Sequence, residues 1–418
     1  MRASPTRRFL VATQTTQSSN EAIKLEEKYG AHNYHPLPVV LSKGEGVYLW
    51  NPEGERFIDC LSAYSAVNQG HCHPRLVKAM TEQAKRLTLT SRAFHSDALG
   101  EYCRYITEYF GYDRVLPMNT GVEGGETAVK LARRWGYLHK NIADEQARVV
   151  FVAGNFWGRT LAAISTSTDP TCKDGFGPYM PGFDVIPYDD VPALEEALKD
   201  PNVCAFMLEP IQGEAGVNVP SPGYLKEVRR VCTEQRVLMI ADEVQTGLCR
   251  TGRMLACDHE EVRPDIVILG KALSGGMLPV SAVLADDEIM LGIKPGEHGS
   301  TYGGNPLACV VAMEALQILK DEKLAERAES LGQKFRDALS KIDKPWIKEV
   351  RGKGLLNALE MDPDAGVEAW DVCVKLKENG LLAKPTHDTI IRFAPPLVIT
   401  DEELQESIDI ITKTLMSC

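Results

Sequence analysis

Five short runs of nearly unbroken apolar residues recur through the middle of the chain: VVFVA (149–153), VCAFML (203–208), VLMIA (237–241), DIVILG (265–270) and VSAVLA (280–285). Each is long enough for a strand and too short for a buried helix. Amphipathic helical segments such as GYLKEVRRVCTEQ (223–235) and NTGVEGGETAVKLARRWGYL (119–138) alternate with them. Strands without a polar face need cover on both sides, so the alternation predicts an α/β protein built on a mostly parallel sheet between helical layers. With 418 residues the chain exceeds a single small core, which calls for at least one further unit.

The flanks have a different grain. PVVLSKGEGVYLWNPEGERFIDC (38–60) alternates apolar and polar residues around glycine turns, as small strands do. HPRLVKAMTEQAKRL (73–87) reads as an amphipathic helix, and GGNPLACVVAMEALQIL (303–319) opens a long helical stretch with a break expected near Lys320–Lys323. Beyond about Pro345, strands (LLNALEM, TIIRFAPP) mix with helices (AWDVCVKLKENG, DEELQESIDIITKTLM), a pattern suited to an α+β unit. The expected division is an arm over 1–30, a segment of a smaller unit over 31–75, a large domain over 76–320 and the remainder of the smaller unit over 321–418.

Ligands of open α/β sheets lie beyond the carboxyl ends of the strands. Three charged residues fall there: Glu209 after VCAFML, Asp242 after VLMIA and Lys271 after DIVILG. A structural ion pair is one reading of Asp242 and Lys271. The neighbouring motifs favour another. NTGVEGGETA sets backbone N–H groups at a helix start, where a phosphate dianion is stabilised. GNFWGRT puts Phe156 beside a strand end, and HGSTYGGNP supplies the hydroxyls of Ser300 and Thr301. An imine-forming lysine, an acid for a pyridine nitrogen, a phosphate cradle and a stacking aromatic are together the requirements of pyridoxal 5′-phosphate.

Other partners are disfavoured. The net charge is −12, with no stripe of Lys and Arg, so nucleic acid and anionic membrane surfaces are not expected. No apolar run reaches the roughly 18 residues of a membrane helix. The eleven cysteines contain no CxxC pair, which suits reduced thiols in a cytoplasmic or organelle-matrix protein. Cys204 and Cys249 read as small buried hydrophobes. No metal site is expected. The first 20 residues hold Arg2, Arg7 and Arg8, many Ser and Thr and no acid; they fit either a weak mitochondrial transit segment or a short arm of a cytoplasmic protein.

The succession IADEVQTG, RTG, LGKALSGG and HGSTYGGNPLA resembles the fold-type-I, class III pyridoxal-phosphate aminotransferases, and YSAVNQGHCHP, LPMNTGVEGGETA, EPIQGEAGV and RFAPPLV extend the resemblance over nearly the whole chain. The resemblance implies a large domain with a seven-stranded, mostly parallel sheet and a smaller α+β domain made by both ends of the chain. It implies that Lys271 carries the cofactor and Asp242 meets its ring nitrogen. Gln245 would contact the ring hydroxyl, Phe156 would stack on the ring, and Gly121 and Val122 would hold the phosphate. Ser300 and Thr301 would add hydroxyls, Thr301 from the partner subunit of a homodimer.

It further implies transfer of the δ-amino group of L-ornithine to 2-oxoglutarate. Tyr34 and Arg159 would receive the α-carboxylate of ornithine, and Tyr64 would orient it. Arg392 would bind the 2-oxoglutarate carboxylate, with Glu214 pairing to it in the other half-reaction. Family members acting on N-acetylornithine or 4-aminobutyrate, or an aminomutase on the same scaffold, are the alternatives. Tyr34 and Tyr64 argue for ornithine.

Overall fold

The computed structural model describes residues 18–418; the transit-or-arm segment lies largely outside them. The described chain opens on helix α1 (Ser19–Tyr29), where the sequence suggested only an arm. Ser18 caps it and the Glu21 side chain answers in a capping box. The helix buries no side chain.

Three strands follow, β1 (Lys43–Glu45), β2 (Tyr48–Trp50) and β3 (Arg56–Asp59), paired antiparallel in that order. Helix α2 (Pro74–Arg86) starts after His73, whose ring accepts from the Arg75 N–H. Helix α3 (Asp97–Phe110) then leads into the large sheet.

That sheet comprises β4 (Arg114–Met118), β5 (Arg148–Val152), β6 (Phe183–Ile186), β7 (Val203–Leu208), β8 (Leu238–Asp242), β9 (Ile266–Leu269) and β10 (Ser281–Ala285), in the order β4-β10-β9-β8-β7-β5-β6. The pairs from β9 through β8, β7 and β5 to β6 are parallel, whereas β10 runs antiparallel to both β9 and β4. A mostly parallel sheet is therefore present with one reversed strand. The reversal follows from length: the link from β9 to β10 is too short for the helical crossover a parallel return needs. The strands β4 and β6 escape a reading by apolar runs because they are edges. RVLPM carries a proline, tolerated at an edge, and FDVI is only partly buried.

Helix α4 (Gly121–His139) packs on the sheet through two glycines. A Cβ on Gly125 would lie 2.5 Å from the Trp157 ring and one on Gly124 2.8 Å from Ile268. This close approach presses the helix start against the strand ends. Helices α5 (Pro306–Asp321) and α6 (Leu324–Leu339) are separated at Lys323, whose φ of 51° ends the first run where the sequence foretold a break.

The C-terminal strands β11 (Ile347–Lys353), β12 (Leu356–Met361), β14 (Lys384–Thr386) and β15 (Ile390–Phe393) form a separate sheet, ordered β11-β12-β15-β14 and antiparallel throughout. Between them β13 (Leu381–Leu382) crosses to the N-terminal sheet and pairs parallel with β3. Both ends of the chain thus build one neighbourhood beside the large sheet. Cys204 and Cys249 are buried.

Candidate active site

The carboxyl ends of β7, β8 and β9 lie side by side and deliver Glu209, Asp242 and Lys271 to one cavity of about 200 Å³, which Gly121, Val122, Phe156 and Gln245 also line. Lys271 follows β9 with φ at 44°, a left-handed conformation that a non-glycine residue adopts at a cost. Burial pulls its ammonium below the usual lysine range, against the opposing attraction of the Asp242 and Glu209 carboxylates. Neither acid comes within salt-bridge distance of it among the described residues, so a structural ion pair does not explain the lysine.

Asp242 accepts one hydrogen bond, from the Val244 N–H at 3.0 Å. Its other oxygen has no protein donor among the described residues, and burial pushes the carboxyl up to about 6. Glu209 is held by the N–H groups of Phe156 at 3.0 Å and Gly213 at 3.1 Å. Burial, and then the charge of Asp242, raise it to about 8. Its place at the close of an apolar strand was legible, but no role for it was. The Gln245 amide, also buried, has no hydrogen-bond partner among the described residues.

At the other end of the cavity stands the start of α4. Thr120 and Glu123 form a capping box that satisfies the Glu123 and Thr120 N–H groups. The Gly121 and Val122 N–H groups donate to no acceptor among the described residues, and both residues line the cavity. Two free amides at the positive end of a 19-residue helix suit a phosphate dianion. A reactive amine, an unpaired acid, an unpaired amide side chain and this cradle, arranged around one cavity, fit pyridoxal phosphate. The fit rests on protein groups that lack protein partners.

Arg392 on β15 is 3% exposed and donates to the Gly213 carbonyl at 3.2 Å. It also forms a salt bridge with Glu214 at 3.1 Å, while its Nε has no partner among the described residues. Its guanidinium lies 4.9 Å from the centroid of the Tyr64 ring. The backbone of the Glu214 loop is tied by the Thr386 hydroxyl, which donates to the Glu214 carbonyl at 2.6 Å. Tyr64 sits in a turn, Ser62–Ser65, with φ values of 50°, 47°, 60° and 71°. Left-handed geometry costs a non-glycine residue roughly 1–2 kcal/mol, so four in succession require outside support.

Other predicted residues lie apart from the cavity. Tyr34 is 78% exposed on the loop after α1. Arg159 is exposed, its guanidinium 5.6 Å from the Phe156 ring centroid. The Ser300 hydroxyl accepts from Asn119 Nδ2 at 2.8 Å, and Thr301 is exposed outside the cavity of its own chain.

The family described as Aminotransferase class-III matches residues 29–415. The mitochondrial ornithine aminotransferase of Drosophila melanogaster is 67% identical over 392 residues, covering 94% of this chain and 90% of that protein. A structure of the Toxoplasma gondii ornithine aminotransferase, with partial occupancy of PLP at its active site, superposes with a TM-score of 0.95 at 56% identity and covers 96% of this chain and 94% of that one. The acetylornithine aminotransferase of Elizabethkingia anophelis gives a TM-score of 0.88 at 55% identity, over 96% of this chain and 100% of that one.

Proposed function

The chain belongs to the class-III aminotransferase family, and from that premise we propose how its residues divide the work. It is a pyridoxal-phosphate-dependent transaminase that moves the δ-amino group of L-ornithine to 2-oxoglutarate, in two half-reactions. The products are L-glutamate 5-semialdehyde, which cyclises to pyrroline-5-carboxylate, and L-glutamate.

Bound pyridoxal phosphate supplies the electron sink that makes the carbon beside the amine acidic. In our reading Lys271 holds the cofactor until substrate arrives. Its Nζ, whose hold on a proton burial weakens, would then carry the proton from the δ-carbon of ornithine to the cofactor. Asp242 would meet the ring nitrogen through the oxygen that has no protein donor among the described residues. Gln245 would meet the ring hydroxyl, Phe156 would cover the ring, and the Gly121 and Val122 N–H groups would hold the phosphate. Ser300 would add a hydroxyl for the cofactor, and Thr301 would reach a second subunit's site in a homodimer, a reading supported by the exposure of Thr301 away from its own cavity. Tyr34 and Arg159 take the ornithine carboxylate, and Tyr64 orients the chain of the diamine. The division into residues 31–75 with 321–418, and 76–320, is supported by the pairing of β13 with β3. A place in the mitochondrial matrix is our reading of the compartment, supported by the mitochondrial name of the Drosophila relative. Among the described residues no helix is long and apolar enough to cross a membrane.

One observation carries the substrate reading: the Glu214–Arg392 pair beside Lys271. One site must accept a cationic diamine and then a dianionic keto acid. A cation masked by a removable carboxylate meets both demands. Arg392→Gln is expected to raise the KM for 2-oxoglutarate by about 10- to 100-fold, the worth of a charge-assisted hydrogen bond. Glu214→Gln, by contrast, slows the ornithine half-reaction and leaves 2-oxoglutarate binding intact or tighter. Equal effects of Glu214→Gln on both halves would discard the gate.

The whole assignment is tested on the purified holoenzyme by its visible absorbance. The band is expected to bleach with L-ornithine and return with 2-oxoglutarate. Bleaching by N-acetylornithine or 4-aminobutyrate, and not by ornithine, would reassign the substrate.

A further inference from the structure

The Ser62–Ser65 turn is the longest succession of left-handed non-glycine residues among those described; the others are single residues apart from Leu248 and Cys249. Within it the Tyr64 N–H donates to the Leu61 carbonyl at 3.0 Å and the Ala66 N–H to the Ser62 carbonyl at 2.8 Å, while the buried Ser65 hydroxyl has no hydrogen-bond partner among the described residues. Further support comes from outside. Asp59, 3% exposed at the end of β3, accepts the Leu61 N–H at 2.8 Å and the Ser62 N–H at 2.9 Å with a single oxygen. Its second oxygen is 2.7 Å from Nε2 of His71, which donates to it. The Ser62 hydroxyl donates to the Ala394 carbonyl at 2.6 Å, and the Ala394 N–H returns to the Cys60 carbonyl at 2.7 Å. Ala394 lies two residues beyond Arg392. The strained turn and the strand bearing Arg392 are therefore clamped together, with the Tyr64 ring beneath the guanidinium.

We propose that Asp59, fixed by His71, is a positioning residue that sets substrate choice: it holds Ser62–Ser65 left-handed so that Tyr64 lies under Arg392 and directs the diamine. This rests on the reading of Tyr64 given above. Without Asp59 the Leu61 and Ser62 N–H groups at the entry to the turn lose their acceptor, and the turn relaxes toward ordinary right-handed geometry, which withdraws the ring. Arg392 keeps its bond to Gly213 and its access to a keto acid.

The test uses the holoenzyme and compares the two half-reactions. Asp59→Ala is expected to lower kcat/KM for L-ornithine by about 10²-fold, the scale of a misplacement near 1 Å, and that for 2-oxoglutarate by less than about tenfold. Glycine pays nothing for left-handed backbone, so Ala63→Gly alone should leave both rates within about twofold, and Asp59→Ala/Ala63→Gly should recover at least about tenfold of the ornithine loss. A merely structural Asp59 would lower both half-reactions together, and that result, an unaffected ornithine rate, or no recovery by Ala63→Gly overturns the proposal. Should Asp59→Ala fail to fold, His71→Ala and His71→Gln replace it: the glutamine, able to donate to Asp59, is expected to keep the ornithine preference that the alanine loses, and equal behaviour of the two overturns the proposal. Tyr64→Ala separates the premises. If it leaves the preference for ornithine untouched, the reading of Tyr64 fails. If it shifts the preference while Asp59→Ala does not, that reading stands and the Asp59 proposal falls.

Discussion

Lys271→Ala is expected to lower ornithine-dependent glutamate formation by at least about 10⁴-fold, the upper range for a group that moves the proton in the rate-determining step. The size follows from isolation. Among the described residues Lys271 is the one amine lining its cavity. The other lysine near Arg392 is Lys384, whose Nζ is engaged by the His35 carbonyl at 3.0 Å. A small added amine should restore part of the rate, since it can ferry a proton though it cannot be tethered. The fold should survive, because the change removes a buried amine with no salt-bridge partner among the described residues rather than a packed hydrophobe. Steady-state assays and a melting curve check both halves of this expectation. A variant running at a tenth of the parent rate would end the assignment of Lys271 as proton carrier.

Asp242→Asn is expected to cost about 10²–10³-fold in kcat, comparable to deleting one preorganised electrostatic partner. Asparagine still accepts the Val244 N–H, so packing is retained and only the charge is lost. The apoenzyme carries a second signature. The folded Asp242 carboxyl is raised from 3.8 to about 6, so the folded state binds the extra proton between those values. Stability must then fall as pH rises through that window. Glu209, raised from 4.5 to about 8, adds a loss of the same sign at higher pH. The Asp242→Asn apoenzyme should therefore melt higher than the parent above pH 6, with a shallower decline between pH 4 and 6 (melting temperature against pH reads this directly). An activity near the parent's, or an unchanged pH profile of melting, would contradict the assignment.

The reactive end of the site was readable because its parts are local. An apolar strand ending in a charged residue already says that a polar group stands at the mouth of a core strand, as Glu209, Asp242 and Lys271 do. A glycine-rich turn entering a helix already announces free N–H groups, and Gly121 and Val122 have them. The substrate end was far less readable. Tyr64, Glu214 and Arg392 come from three separate stretches of chain and meet only across β3, β15 and the loop after β7. Without the family resemblance, Glu214 and Arg392 would read as surface charge.

The amino-acid sequence by itself determined which central strands are buried, where the amphipathic helices around them begin, and which residues end the core strands. Periodicity and capping are set by near neighbours, and those neighbours are written in order along the chain. Only the tertiary structure decided that β10 runs backward, that β4 and β6 close the sheet, and that Asp59 and His71 hold a left-handed turn beneath Arg392. Each of these depends on a hydrogen bond or a packed face supplied by a distant segment, and no local pattern records which partner will arrive.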